Sequence, residues 1–387
     1  MQFGYLISEI SVFLHSITLP LSVATAIPGY LVTDKEQKNK RKCPSLIIAI
    51  RANSALAMPK TPWKKSSRQP SPKTSRSFVS QNTCLEQQRT FIQKRYEPVA
   101  KLPDCQLTNQ IEAGDTVAGM IANEAAYYQE ATRLREKYSS QIQLLIGFET
   151  EWIRPAVSKA LVEESLARFP FEFFIGSVHH MHTYPIDYDR PLYEQARDVA
   201  GGSDQRLFED YFDAQLDMLR QMRPLVVGHF DLIRLKSDDP DASFTAWPGV
   251  WQRVLRNLDF VASYGGILEI NTAALRKGMS EPYPKAEICR VRPLFPVPSV
   301  SYSDLVLNLM QEFLARGGRF CLSDDSHGID QVGTNFHRVL PFLESTGIST
   351  LHYLQLSSSD AASGADERFP RTQITSIDLD RVKELYP

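Results

Sequence analysis

The apolar residues of this chain fall into short unbroken runs separated by longer amphipathic stretches. Gln143-Leu-Leu-Ile-Gly-Phe-Glu149 is one such run. A continuous apolar run of this length predicts a strand buried on both faces, as in a parallel sheet. The pattern repeats at 171–178, 225–228, 266–270 and 319–322, and a last strand is predicted at 350–356. Helical spacing is predicted over 117–138, 205–222, 250–264 and 330–343. Alternating strands and helices imply parallel strands joined by right-handed crossovers.

Each run ends in chemistry. Glu149 closes the first, His179-His-Met-His182 follows the second, and His229-Phe-Asp231 follows the third. Asn271 follows the fourth, and Ser323-Asp-Asp-Ser-His327 the fifth. An α/β barrel gathers its working residues at the C-terminal ends of its strands. An open doubly wound sheet is the competitor, but no GxGxxG follows any strand.

Glu149, His179, His229, Asp325 and His327 are imidazoles and carboxylates with no cysteine among them. That donor set suits Zn, Mn or Fe(II) rather than a thiolate structural site. Singly, each has a plainer reading; Glu149, for example, could pair with Arg154. The repeated placement is what points to a metal cluster, which can promote phosphoryl transfer. Arg234 suits a phosphate clamp, since a guanidinium forks onto two oxygens; an ion pair with Asp231 or Asp238 is the alternative. Arg190 is a weaker candidate of the same kind. Asn271 and Arg276 either contact substrate or cap the following helix. His182 forms an HxH pair with His180, expected as outer ligand support or a substrate contact.

Composition adds a boundary. Of 387 residues, 43% are hydrophobic, enough for a large core. Five cysteines with no CxxC do not make a disulfide framework. Between Asp34 and Arg76 stand twelve Lys or Arg and two acids, while the remainder is acidic. Residues 1–110 are therefore expected to be an atypical leader, apolar then basic and largely disordered, ahead of a domain at 111–387. The basic stretch lacks aromatic interleaving, so no nucleic-acid partner is expected. The apolar stretch 10–32 carries His15, Pro20 and Pro28 and no basic start, so no membrane partner is expected either. The cytoplasm is the expected compartment, with a mitochondrial leader as the alternative.

Five motifs then resemble those of histidinol-phosphatases of the PHP (polymerase and histidinol phosphatase) superfamily, the fungal ones in particular. They are Gly147-Phe-Glu-Thr-Glu-Trp152, Gly176-Ser-Val-His179, Gly228-His-Phe-Asp-Leu-Ile-Arg234, Glu269-Ile-Asn271 and Ser323-Asp-Asp-Ser-His327. The likeness runs from about Glu112 to Arg290 and from Glu312 onward. It implies a distorted (β/α)7 TIM-like barrel with a divalent metal cluster at its C-terminal face. The implied reaction is hydrolysis of L-histidinol phosphate to L-histidinol and phosphate, in histidine biosynthesis. By position, Glu149, His179, His229, Asp325 and His327 match metal ligands, and Arg234 a phosphate-contacting arginine. Arg234, Asp325 and His229 are the expected catalytic residues; Arg234, Arg190, Asn271 and His182 are the expected substrate or phosphate contacts.

Two departures accompany the likeness. The family's opening HxH and a later acid–His pair have no counterpart: the only histidine before His179 is His15, in Leu14-His-Ser-Ile17. The barrel is thus expected to be incomplete at its N-terminal strands, and the cluster short of ligands. Residues 291–311 are an insertion, either a surface loop, which costs little closure entropy, or a retained intron. Another PHP phosphoesterase, or a non-catalytic relic, is the alternative function.

Overall fold

The computed structural model describes residues 23–26, 46–51, 117–140, 142–289, 313–327, 331–357 and 366–386. Its centre is a seven-stranded sheet in the order β1-β2-β3-β4-β7-β8-β9. The strands are β1 (Val23–Ala26), β2 (Leu46–Arg51), β3 (Leu144–Glu149), β4 (Phe173–Gly176), β7 (Val226–Val227), β8 (Ile267–Asn271) and β9 (Arg319–Ser323). From β2 to β9 every pairing is parallel, and only β1 runs antiparallel to its neighbour. The sheet curls until its two edge strands, β1 and β9, approach one another. Every residue of β3, β4, β7 and β8 is buried, as unbroken apolar runs require.

Helices cover the outside: α1 (Val117–Tyr138), α2 (Pro155–Arg168), α3 (Arg190–Val199), α4 (Asp204–Met222), α5 (Pro248–Ser263), α6 (Phe336–Ser345) and α7 (Leu379–Leu385). Their starts are locally encoded. Asp189 accepts from Leu192 N–H at 2.9 Å, and Ser203 accepts from Arg206 N–H at the head of α4. Pro155 and Pro248 occupy first helical positions, where the missing N–H is harmless. Along α4, Leu207, Phe208, Tyr211, Phe212, Leu219 and Met222 face the sheet at helical spacing.

Several expectations are corrected here. α6 begins at Phe336, not near residue 330, because Gly333 and Asn335 take positive φ values of 71° and 67° that no helix continues through. The last predicted strand, 350–356, is present with those bounds as β10 (Thr350–Leu356), which pairs antiparallel with β11 (Thr372–Asp378) outside the main sheet. Helices α2, α3 and α7, and the small hairpin of β5 (His180–Met181) and β6 (Tyr184–Pro185), are not evident from apolar spacing. Strands β1 and β2 lie inside the stretch expected to be a largely disordered leader. They occupy the edge beside β3 that missing first strands were expected to leave open, and neither contains a histidine or a carboxylate. The rest of 1–110 and the insertion 291–311 lie outside the described residues. Among the described residues, no helix is long and apolar enough to cross a membrane.

Candidate metal centre

The parallel register brings the ends of β3, β4, β7, β8 and β9 to one face. Glu149 is the last residue of β3, His179 lies three residues beyond β4, and His229 two beyond β7. Gly228 lets His229 reach this position: a Cβ there would lie 2.4 Å from Ser177 Oγ and 2.9 Å from Ile175 Cγ2. The three ligand atoms, one from each side chain, lie within 4.8 Å of one another, and all three residues are buried.

His179 Nε2 is 2.8 Å from His229 Nε2. Glu149 Oε1 is 3.3 Å from the first and 3.0 Å from the second. Burial opposes the charge on Glu149, yet the two adjacent imidazoles outweigh it and hold its carboxyl well below the usual range.

Tautomer control comes from Glu151. Its Oε1 accepts from His179 Nδ1–H at 2.7 Å, which leaves the Nε2 lone pair of a neutral His179 aimed at the cluster. Its Oε2 is 3.2 Å from His180 Nδ1. Glu151 stands two residues beyond Glu149, just past the end of β3, and strand alternation carried on by two residues would put both on one side, which is the sequence signal that could have revealed Glu151. Glu269 is the other residue left out of the expected ligand set. Its Oε2 accepts from His229 N–H at 2.8 Å and from the Asn271 amide at 3.0 Å, and burial raises its pKa.

These observations fit a divalent cation. Two imidazole nitrogens and a carboxylate oxygen converge in a buried space, with one imidazole oriented by a carboxylate behind it.

The other expected residues are placed differently. Asp325 is buried at the end of β9, with φ of 47°. Arg276 holds that turn, its Nη1 and Nη2 each donating at 2.9 Å to the carbonyls of Asp324 and Asp325. His327 donates from Nδ1 to Asp325 O at 2.8 Å and its side chain is 40% exposed. Both are at the same face, but neither joins the three-residue cluster. Asn271 caps the short turn after β8, accepting from Ala273 N–H at 2.9 Å.

Three expectations meet other geometry. Arg234 is fully buried, and its guanidinium is committed to the protein: Nε donates to Asp231 Oδ2 at 2.9 Å, Nη1 to Pro240 O at 3.2 Å, and Nη2 to Glu281 O and Pro282 O at 3.1 and 2.7 Å. A phosphate fork is not what this arrangement offers; a buried arginine must satisfy its donors, and nearby carbonyls do so. Arg190 bonds Glu194, Asp238 and Lys236 O at the surface. His182 sits in the β5–β6 turn at φ of 50°, and its Nε2 is 2.8 Å from Asp210 Oδ2 on α4. The chain reverses there, so strand alternation does not carry past Met181.

A parallel α/β barrel with imidazole and carboxylate donors at its C-terminal face is the build of a divalent-metal hydrolase. Residues 101–273 match the PHP domain. A Schizosaccharomyces pombe protein named "Probable histidinol-phosphatase" is 40% identical over 226 residues, 58% of this chain and 67% of that protein. The histidinol-phosphatase of Saccharomyces cerevisiae is 32% identical over 269 residues, 63% of this chain and 74% of its own length. A solved structure of histidinol phosphate phosphatase from Lactococcus lactis, complexed with zinc, L-histidinol and phosphate, is 22% identical with a TM-score of 0.43, covering 59% of this chain and 76% of that one. The chain belongs to the histidinol-phosphatase family of PHP-domain proteins.

Proposed function

We propose that this chain is a metal-dependent phosphomonoesterase that hydrolyses L-histidinol phosphate to L-histidinol and phosphate, a step of histidine biosynthesis. The carrying observation is the convergence of Glu149, His179 and His229 at the strand ends of a chain from this family. Glu149, His179 and His229 would hold a divalent ion (Zn, Mn or Fe), and Asp325 and His327 are proposed as further donors from the same face. When bound, such an ion supplies Lewis acidity toward a phosphoryl oxygen and toward water.

The protein's own part is orientation. Glu151 sets the His179 tautomer, Glu269 pins the backbone of His229, and Arg276 fixes the Asp325 turn. Arg234 braces the loop at Glu281 and Pro282 behind the site. Burial of the three donors keeps bulk water from weakening their electrostatics. The domain carrying this activity is proposed to be 111–387, and the compartment the cytoplasm.

A second reading has its own observation. Only three donors gather among the described residues, so a chain that binds a cation without turnover is the rival. Phosphate release from L-histidinol phosphate, with Mn or Zn supplied, separates the two. Release well above a His229→Ala control supports the enzyme. No release, with cation binding intact by calorimetry, supports the rival.

A further inference from the structure

Beside the cluster stands a buried phenol without an acceptor. The backbone of Tyr283 pairs with Asn271 at the end of β8: Asn271 N–H donates to Tyr283 O at 2.7 Å, and Tyr283 N–H to Asn271 O at 3.1 Å. That bridge seats the side chain at the face where the metal donors meet.

The ring is held from two directions. Its edge meets the His229 imidazole, centroids 6.3 Å apart at 76°. The Arg234 guanidinium lies 5.1 Å from its centroid, and the same guanidinium bonds the carbonyls of Glu281 and Pro282, the two residues before it. Tyr283 is completely buried, yet its Oη has no hydrogen-bond partner. Buried hydroxyls are nearly always bonded, because an unmet donor loses its water and gains nothing.

We infer that Tyr283 contacts the substrate, its Oη–H donating to a non-bridging oxygen of the phosphate ester bound beside His229. This rests on the phosphatase reading above. A neutral phenol suits that role: its hydroxyl donates a hydrogen bond to an anion and carries no charge of its own. It also explains why Arg234 is turned inward. The arginine fixes the tyrosine, and the tyrosine meets the ligand.

The rival is structural: a buried water joining Tyr283 Oη to Asp231 Oδ1, which also lacks a partner. Tyr283→Phe distinguishes the two, removing one oxygen while keeping the ring that His229 and Arg234 pack against. The probe is inorganic phosphate, titrated calorimetrically into Mn-loaded protein, beside Mn affinity and thermal stability. The inference expects phosphate to bind roughly tenfold more weakly, with Mn affinity unchanged, since a hydrogen bond to a charged acceptor has been lost. Phosphate affinity within twofold of the unaltered protein overturns it, whatever happens to stability. Difluorotyrosine in place of Tyr283 keeps the fold and strengthens the donor; phosphate should then bind more tightly, and an unchanged affinity again overturns the inference. Because the probe is phosphate, failure of the protein to hydrolyse L-histidinol phosphate would refute the substrate assignment while leaving this test decisive.

Discussion

Glu151→Gln is the sharpest test of the metal centre, because it alters no proposed ligand. In the native arrangement the ionised carboxylate accepts from His179 Nδ1–H at 2.7 Å, and its other oxygen lies 3.2 Å from His180 Nδ1. Glutamine has nearly the same shape but no charge, and it can present an N–H where an acceptor is needed. The strong, charge-assisted bond is lost, a term of about 1.5–3 kcal/mol. Nothing then forces the His179 proton onto Nδ1, and the tautomer with Nε2 protonated cannot ligate. Divalent-cation affinity should fall by about 10–100-fold, as for other carboxylates behind a metal-binding histidine. The assay is calorimetric titration of Zn or Mn into chelator-stripped protein, with thermal stability followed in parallel. Cation affinity within twofold of the native value, in a folded variant, would refute the assignment of Glu151 as the group that orients His179.

Two further outcomes are expected. Arg234→Ala should lower stability by about 3–5 kcal/mol in urea unfolding, since it strands the buried Asp231 carboxylate and frees three carbonyls; unchanged stability with a raised KM would return Arg234 to the phosphate role. Asp324 is buried beneath the Asp325 turn, and burial raises its pKa to about 7 from 3.8. A carboxyl raised on folding stabilises fully below its unfolded pKa, and that contribution is lost as pH climbs through the folded value. The metal-free protein should therefore lose on the order of 4 kcal/mol between about pH 4 and 7 from this group. Asp324→Asn should flatten that part of the profile in pH-dependent melting; an unchanged slope would count against it.

The layered pattern of this fold was legible from the chain alone. Strands buried on both faces must be apolar throughout, so β3, β4, β8 and β9 announce themselves, and so do the polar residues where each run stops. Capping at Asp189 and Ser203 is equally local. Helices α2 and α3 were less visible because they bury little of their surface: α2 buries only Ser158, Val162 and Ser165, and α3 only Tyr193 and Ala196. What little they bury is set by tertiary neighbours: α2 packs against α4, and α3 against β6 and α4.

The site divides along the same line. Glu149, His179 and His229 could be picked out because each follows a strand, and parallel strands end together. What each neighbouring side chain does was decided by tertiary structure. A run of letters shows that Arg234 lies three residues beyond Asp231, but not that it is sealed inside with every arm bonded to protein. Nor does it show that Tyr283, from a loop after β8, comes against His229, or that Glu151 reaches His179 across twenty-eight positions. Local spacing determines which way a residue points along its own element. Which groups meet, and which are left buried and waiting for a ligand, is set only when distant elements pack and water is expelled from between them.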